Sequence, residues 1–559
     1  MSAGLAAGAR PSASGILTAV AIVAGVVLRL APVATVDFPL NDGGLFLQMI
    51  REVQGNGYAL PSLSHYNGLA IPFAYPPLGF YVGALVSSML RIDAIQVLHL
   101  VPPATAVLSL GAFALLARAA ISAPAGAAVA TLAFAAVPGS YVTMIMGGGL
   151  TRALGQLFAI LALWAGLEFA HRARWLPWLG LVVFAAGAVL SHLEWGLFVG
   201  VGLLVLLLRR GRDPVAARGF LSSFVAIGVV TAPWWATMLA RYGPGPFATA
   251  SESGSWVTLL VSQRGDDSSI AFIAFAVAWG ALCSVAVARG GAPWLLVGWI
   301  GLLALADFRA FGQLAAIPAS VGLGCGASAL AMAAEPIGAR LGVRPAMRAR
   351  FALERESRLS AGGQGPPVAA KRGEPDGPAI GPRTLPRAVL PALGAVLAAA
   401  WVGVVIVMNL ASYSAFRGAL VPLSPPERAA MAWVAAEAPA GSEFLIIPST
   451  GWAIDRVGEW FPTLAGRRSL ATVQGTEWIP GAFERTERAY AAARACGGSD
   501  AACLDTWSAA AGERFQYVYL PKSDVRPCCD ALRAALREDR RYAVVYDGPG
   551  VTIFRRVSP

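Results

Sequence analysis

GILTAVAIVAGVVLRLAPV (15–33) runs almost directly into VDFPLNDGGLFLQMIREVQGNGYALP (36–61). The first stretch is apolar and long enough, as a helix, to cross a hydrocarbon core of roughly 30 Å. The second puts an Asp just beyond that span, then an amphipathic helix and a Gly turn. Working outward, similar apolar runs recur at 95–117, 122–145, 153–170, 175–191, 193–208, 219–240, 270–288, 292–306, 313–333 and 388–410. With the first, they predict a polytopic α-helical membrane domain of about 11 spans. The whole 559-residue chain agrees: 56% of it is apolar and 13% charged, against roughly 25% charged in soluble proteins. Its mean hydropathy is +0.61. No soluble core absorbs that much apolar surface. The net charge of +11 therefore reads as orientation within a bilayer, the basic residues sitting in short loops, and not as nucleic-acid binding.

Loop charge sets the sidedness. Arg118, Arg172, Arg174, the run at 209–212, Arg218 and Arg289 read as cytoplasmic, as does the Pro-, Gly- and Arg-rich loop 334–387, expected to be a disordered linker. Counting back, residues 34–94 form one long first external loop if PPLGFYVGALVSSMLR (76–91) lies along the outer surface. If 76–91 spans instead, the N-terminus moves outside. The first solution is adopted, with the N-terminus cytoplasmic. Arg29 interrupts the first apolar run near its end and no clear A-x-A site follows, so the run is read as an uncleaved signal-anchor. Residues 1–410 then form the membrane domain and 411–559 an extracytoplasmic domain, in the plasma membrane of a bacterium.

After 410 the composition changes. PPERAAMAWVAAEAP (425–439), entered by Ser424, reads as an amphipathic helix; EFLIIPS (443–449), FQYVYLP (515–521), YAVVYD (542–547) and VTIFRR (551–556) read as strands. Helices are expected near 482–495, 502–511 and 527–538. The domain is thus a small α/β sheet. It holds Cys496, Cys503, Cys528 and Cys529, an even set that suggests disulfides in an external compartment. Because neighbouring cysteines rarely bond to each other, the expected pairing runs from Cys496 and Cys503 across to 528 and 529. Zinc is the alternative, weakened by the lack of a His in the cluster. Cys283 and Cys325 lie in apolar spans and read as packing residues.

A long first external loop, many spans and a terminal external domain come together with YNGLAIPFAYPPLGFYVGAL (66–85) and AGAAVATLAFAAVPGSYVTMIMGGGLTRALGQ (125–156). This succession resembles the GT-C superfamily of membrane glycosyltransferases. The resemblance implies a catalytic Asp in the first external loop, which maps onto Asp42, and a donor sugar carried on polyprenyl phosphate or diphosphate. Such a carboxylate takes a proton from an acceptor hydroxyl, and the departing lipid phosphate needs cationic or hydrogen-bonding partners. Asp37 competes for the role, and a helix N-cap is the bland reading of Asp42. Arg309, just before a late span, resembles the family's lipid-phosphate contact, and Arg152 is a second candidate; the planar fork of Arg suits phosphate. Asp307–Arg309 as a surface pair is the other reading.

The resemblance to the oligosaccharyltransferase catalytic subunit implies an acidic pair for a metal in the second external loop; that place reads MGGGLTR (146–152) and has no acid, which leaves a divalent metal doubtful and assigns no metal ligand. SHLEWG (191–196) offers His192 and Glu194 as a second acid or base, or as a hydrogen-bonded turn. GWAIDRVGEWFPTLAGRRSLATVQGTEW (451–478) supplies Trp452, Glu459, Trp460, Arg467, Glu477 and Trp478 as acceptor-binding candidates, with core packing as the alternative for the tryptophans. The expected activity is inverting transfer from a polyprenyl-phosphate-linked donor to a glycan, lipid or protein acceptor outside the membrane. No nucleotide fingerprint is present. The rivals are an inactive scaffold that binds a partner and a transporter; few ionisable groups deep in the spans and no internal repeat argue against the latter.

Overall fold

The computed structural model describes residues 12–210, 213–252, 299, 311–340, 420–522 and 528–557. The expected spans 270–288 and 388–410, nearly all of 292–306, the loop from 341 to 387, Cys283, Asp307 and Arg309 lie outside the described residues.

The N-terminal part is helical. In chain order it contains α1 (Ala13–Ala34), α2 (Gly44–Gly55), α3 (Leu78–Leu90), α4 (Ala94–Ala120), α5 (Pro124–Ala136), α6 (Gly149–Arg172), α7 (Trp175–Ser191), α8 (Leu193–Arg210), α9 (Pro214–Tyr242) and α10 (Gly245–Glu252). Among these, α1, α4, α6 and α9 are long and apolar enough to cross a membrane. Apolar surface left outward on α1 and α9, such as Val23, Val27, Val225 and Val229, is where lipid would lie. A further helix, Ala316–Arg340, packs beside α5.

Two elements end sooner than their apolar runs. The run 122–145 yields only the 13 residues of α5, because the residue before Pro138 is pushed out of the helical region: Val137 stands at φ −68°, ψ 116°. A single turn at Pro138–Ser140 and a tight loop follow. α3 is also 13 residues, about 20 Å at 1.5 Å per residue, short of a roughly 30 Å core. It buries Phe80 and Ala84 against its neighbours. Between α2 and α3 the first loop forms a small antiparallel pair, β1 (Leu63–Ser64) with β2 (Ile71–Pro72).

The C-terminal part is an α/β module. Its first helix, Pro425–Glu437, is entered through a capping box: Ser424 Oγ accepts the Glu427 amide while the Glu427 side chain accepts that of Ser424. The strands β3 (Glu443–Ile446), β4 (Arg468–Ser469), β5 (Tyr517–Pro521), β6 (Tyr542–Asp547) and β7 (Val551–Arg556) form one sheet in the order β4-β3-β5-β7-β6. β3 is parallel to β4 and β5, and β7 is antiparallel to β5 and β6. Side chains alternate between the faces. Leu445, Val518, Leu520 and Phe554 meet the helices Phe483–Cys496, Ala501–Ala511 and Asp530–Glu538. Phe444, Ile446, Tyr517 and Ile553 belong instead to a core shared with α2, α3 and the first loop. One face of the sheet is therefore closed by its own helices and the other by the loop that carries Asp42.

The cysteine pairing differs from expectation. Cys496 bonds to Cys503, and Cys528 to its neighbour Cys529. The first pair is local because two helix ends, seven residues apart in sequence, bring the Cα atoms to 5.6 Å. At the second, Cys529 takes the left-handed backbone conformation, φ 73°. The two pairs adjoin each other at Gly497, where an added Cβ would lie 3.3–3.4 Å from the sulfurs of Cys528 and Cys529.

Candidate active site

Asp42 sits in a segment pinned on both sides. Leu40 forms an antiparallel bridge with Pro422, and the Asn41 amide donates to Val421 O at 3.1 Å. On the other side the Gly147 amide donates to Leu40 O at 2.9 Å and the Gly148 amide to Asp42 O at 3.1 Å. The Gly148 amide also reaches the Asp42 carboxylate, 3.0 Å from Oδ1. Arg152, one turn into α6, places Nη1 3.7 Å from Asp42 Oδ2. Small residues are required here. A Cβ on Gly148 would stand 2.5–3.0 Å from the carboxylate atoms of Asp42, and one on Gly147 would overlap the Asp42 carbonyl. Within the glycine run 147–149 the Gly148 amide is aimed at the Asp42 carboxylate, while those of Gly147 and Gly149 go to Leu40 O and Met146 O.

The carboxylate of Asp42 retains 19% exposure and the side chain of Arg152 27%, so both remain reachable in an otherwise buried setting. Burial raises the Asp42 pKa from the ordinary value, and Arg152 and the Gly148 amide oppose that rise.

Behind Asp42 stands the helix Arg456–Ala465. Glu459 is sealed, at 1% exposure. Its Oε2 accepts the Gly43 amide at 2.7 Å and its Oε1 that of Leu45 at 3.3 Å. Burial, then the charge of Asp42, pushes its pKa up to about 8. The indole N–H of Trp460 donates to Asn41 O at 2.8 Å, and its ring meets Phe38 edge-on at 4.7 Å. Gly43 needs to be glycine twice over: its φ is +145°, and a Cβ would lie 2.7 Å from the Trp460 ring. Further ties join the same surfaces. Tyr66 Oη donates to Glu459 O at 2.6 Å, Thr463 Oγ1 to Gly44 O at 2.9 Å, and Asn67 exchanges two bonds with Ser469, at 2.7 and 2.8 Å. The module seals the first loop from behind, while the Asp42 carboxylate faces α6.

That helix survives an internal proline. Pro462 cannot donate to Gly458 O, four residues back, and the hydroxyl of Thr472 takes that carbonyl at 2.8 Å. Asp455 caps the start, accepting the Gly458 amide at 3.1 Å.

A second group lies beyond Arg152. Tyr75, at the Pro76–Pro77 entry to α3, places its hydroxyl 3.3 Å from Thr151 Oγ1. Its ring meets Trp478 at 5.4 Å and His192 at 5.9 Å. His192 stands at the extended break between α7 and α8, with Nδ1 3.7 Å from Glu194 Oε2. The first loop (Asp42 and Tyr75), α6 (Arg152), the α7–α8 break (His192 and Glu194) and the C-terminal module (Trp478) therefore meet in one region.

Asp37, Arg467 and Trp452 are engaged elsewhere. Asp37 forms a bidentate pair with Arg428 and keeps 69% exposure. The Arg428 guanidinium holds its pKa below the usual carboxylate value. Arg467 spends its nitrogens on the carbonyls of Ala435, Ala438, Pro439, Ala465 and Gly466. Trp452 packs edge-on against Phe483 at 5.6 Å, and Glu477 shares the short turn Thr476–Trp478. Among the described residues, no cluster of three or more His, Cys, Asp or Glu side chains is placed to hold a metal. Sequence reading did not select Tyr75 or the Gly148 amide. The Tyr-Pro-Pro entry was the available signal for the first; a backbone donor has no side-chain signal.

No family model and no curated protein sequence matches the chain. Solved structures do. ArnT from Cupriavidus metallidurans bound to undecaprenyl phosphate is similar at a TM-score of 0.49 and 17% identity, over 98% of this chain and 99% of that one. The oligosaccharyltransferase AglB from Archaeoglobus fulgidus, in complex with an inhibitory peptide and a dolichol-phosphate, gives 0.47 and 13%, over 91% and 69%. The arabinofuranosyltransferase AftD from Mycobacteria gives 0.47 and 15%, over 97% and 40%. All three are GT-C superfamily members, the group the sequence resembles. At these scores and identities the likeness concerns the general course of the chain, and the chemistry of the site rests on its own side chains.

Proposed function

We propose that the protein is an inverting glycosyltransferase that moves a sugar from a polyprenyl-phosphate donor to an acceptor hydroxyl on the extracytoplasmic side of the membrane. The observation that carries this reading is the Asp42–Arg152 pair, a partly exposed carboxylate held by the Gly148 amide beside a guanidinium at the start of an apolar helix long enough to cross the bilayer. The acceptor hydroxyl gives its proton to Asp42 as its oxygen bonds to the anomeric carbon. The bond from that carbon to the phosphate oxygen breaks on the opposite face, and the electron pair leaves with the lipid phosphate. Arg152 then changes partner, from the newly protonated carboxyl to the released phosphate. Glu459, whose burial beside Asp42 favours its neutral form, supports the loop through the Gly43 and Leu45 amides. Tyr75, backed by the buried ring of Trp478, offers apolar ring surface for a sugar or an acceptor, with His192 and Glu194 at its edge.

Binding of undecaprenyl phosphate to the purified protein in nanodiscs, read by native mass spectrometry, tests the phosphate half of this reading. Saturable binding that weakens tenfold or more in Arg152→Met supports it. Equal binding by the variant and the parent overturns the role of Arg152, and binding by neither overturns the donor class.

A further inference from the structure

Arg29 has no part in the proposed chemistry, yet it is among the largest fully buried side chains of the protein, at 0% exposure inside α1. It faces protein, so it does not reach out to a lipid headgroup. No carboxylate partners it among the described residues. Its Nη1 donates to Ala135 O at 3.1 Å and to Gly25 O at 3.0 Å; its Nη2 donates to Ser140 Oγ at 2.9 Å and reaches Phe134 O at 3.5 Å. The guanidinium also lies 5.0 Å from the Tyr141 ring centre and 5.7 Å from that of Phe134. Phe134 and Ala135 end α5, where carbonyls lack helical partners and the dipole is negative. Arg29 therefore caps α5 from a neighbouring helix and grips the turn after it. Gly25 makes the reach possible, since a Cβ there would lie 3.0 Å from that of Ala135.

The gripped turn leads directly to the site. Seven residues after Tyr141 comes Gly148, whose amide holds Asp42. Thirteen residues after Arg29, on the facing segment of the chain, comes Asp42 itself. The two segments, 29–42 and 135–148, are thus joined at both ends: by Arg29 to the α5 terminus, and by Asp42 and Leu40 to Gly148 and Gly147.

We propose that Arg29 is a positioning residue, which sets from within the membrane domain where the loop 141–148 presents the Gly148 amide to Asp42. A purely stabilising role would tie α1 to α5 without regard to the loop beyond. A charge that spends its bonds on the last carbonyls of α5 and on Ser140 instead fixes the direction in which the chain leaves the helix. Lysine has one nitrogen on a different geometry and cannot serve Ala135 O and Ser140 Oγ as two arms of a fork. The importance of the loop for turnover rests on the role proposed for Asp42; its position does not.

Hydrogen–deuterium exchange of the full chain in nanodiscs tests this without any substrate. In Arg29→Met, Arg29→Lys and Ser140→Ala, amide exchange in the segment 142–149 is expected to rise threefold or more, most in Arg29→Met. Exchange in 16–26 and 125–133 is expected to stay within twofold of the parent. Ser140→Ala retains the buried charge but removes, with one arm of the fork, the hydroxyl's own bonds to Phe134 O and Val137 O at 2.6 and 2.7 Å. Arg29→Lys leaves those bonds in place, so a rise in Ser140→Ala that Arg29→Lys does not share would also overturn the proposal. An unchanged 142–149 in Ser140→Ala and Arg29→Lys overturns the proposal. So does a rise shared equally by α1 and α5, which would mark a general loosening. A failure of sugar transfer with the exchange pattern intact would count against the functional reading alone.

Discussion

Glu459 accepts the Gly43 amide at 2.7 Å, so the C-terminal module holds the chain at the residue next to Asp42. The contact bridges more than four hundred residues of sequence and leaves the acid buried beside a second carboxylate. Both neighbours favour the neutral form of Glu459: the apolar surroundings and the charge of Asp42.

A folded-state pKa raised from 4.5 to about 8 has a definite sign. The folded protein binds a proton that the unfolded chain has lost. The resulting stability is full below pH 4.5 and drains away as the pH rises through about 8. Glu459→Gln removes the titration and keeps an acceptor for Gly43. Melting temperatures of the two proteins from pH 5 to pH 8.5 should therefore diverge, with the parent falling relative to the variant. Parallel curves would contradict the assigned protonation.

Trp460 serves as core and as clamp. Trp460→Phe keeps most of the ring but orphans the buried Asn41 carbonyl, at a cost of about 1–3 kcal/mol. Trp460→Ala should cost about 3–5 kcal/mol through the cavity as well. Denaturation of the C-terminal module, followed by tryptophan fluorescence, should rank the two in that order.

Gly148 tests the geometry of the carboxylate. Its backbone, at φ −70°, accommodates any residue. The difficulty is space, since a Cβ would push into the Asp42 carboxylate. Gly148→Ala should fold and melt near the parent, while transfer falls on the order of 10²-fold, as expected for a reacting group displaced by about 1 Å.

Asp37 gives the control. Its pair with Arg428 is largely open to water, and such pairs contribute about 0–1 kcal/mol. Asp37→Asn should leave transfer within about twofold of the parent, a level at which only rim electrostatics are touched.

The acid limb of the pH–rate profile should lie above the ordinary Asp value, because burial raises Asp42. Arg152 opposes that rise, so Arg152→Met should move the limb to higher pH as well as weaken donor binding. An unmoved limb would show that the limb belongs to another group.

The membrane class was legible because apolar run length is a direct physical requirement of the bilayer. The strands at 515–521, 542–547 and 551–556 and the Ser424 helix start were legible for a similar reason, since short-range pattern and capping decide them. The helix Arg456–Ala465 was not, because Pro462 argues against it locally and the compensating hydroxyl of Thr472 comes ten residues later. The strand Arg468–Ser469 is two residues long and has no period to read. Asp42 was singled out by resemblance, yet the groups that define its state, the Gly148 amide and Glu459, arrive from distant segments. Arg152 was expected to meet phosphate, and its contact with Asp42 emerges only from the fold. The cysteine pairing turned on helix ends that spacing alone did not specify.

Transfer measured with purified protein in nanodiscs, using a panel of radiolabelled polyprenyl-phosphate monosaccharides and comparing parent, Asp37→Asn and Asp42→Asn, tests the central claim most directly. Sugar release from one of these donors is expected from the parent and from Asp37→Asn, with a loss on the order of 10²–10⁴-fold in a correctly folded Asp42→Asn. Turnover by Asp42→Asn equal to that of the parent would contradict the claim.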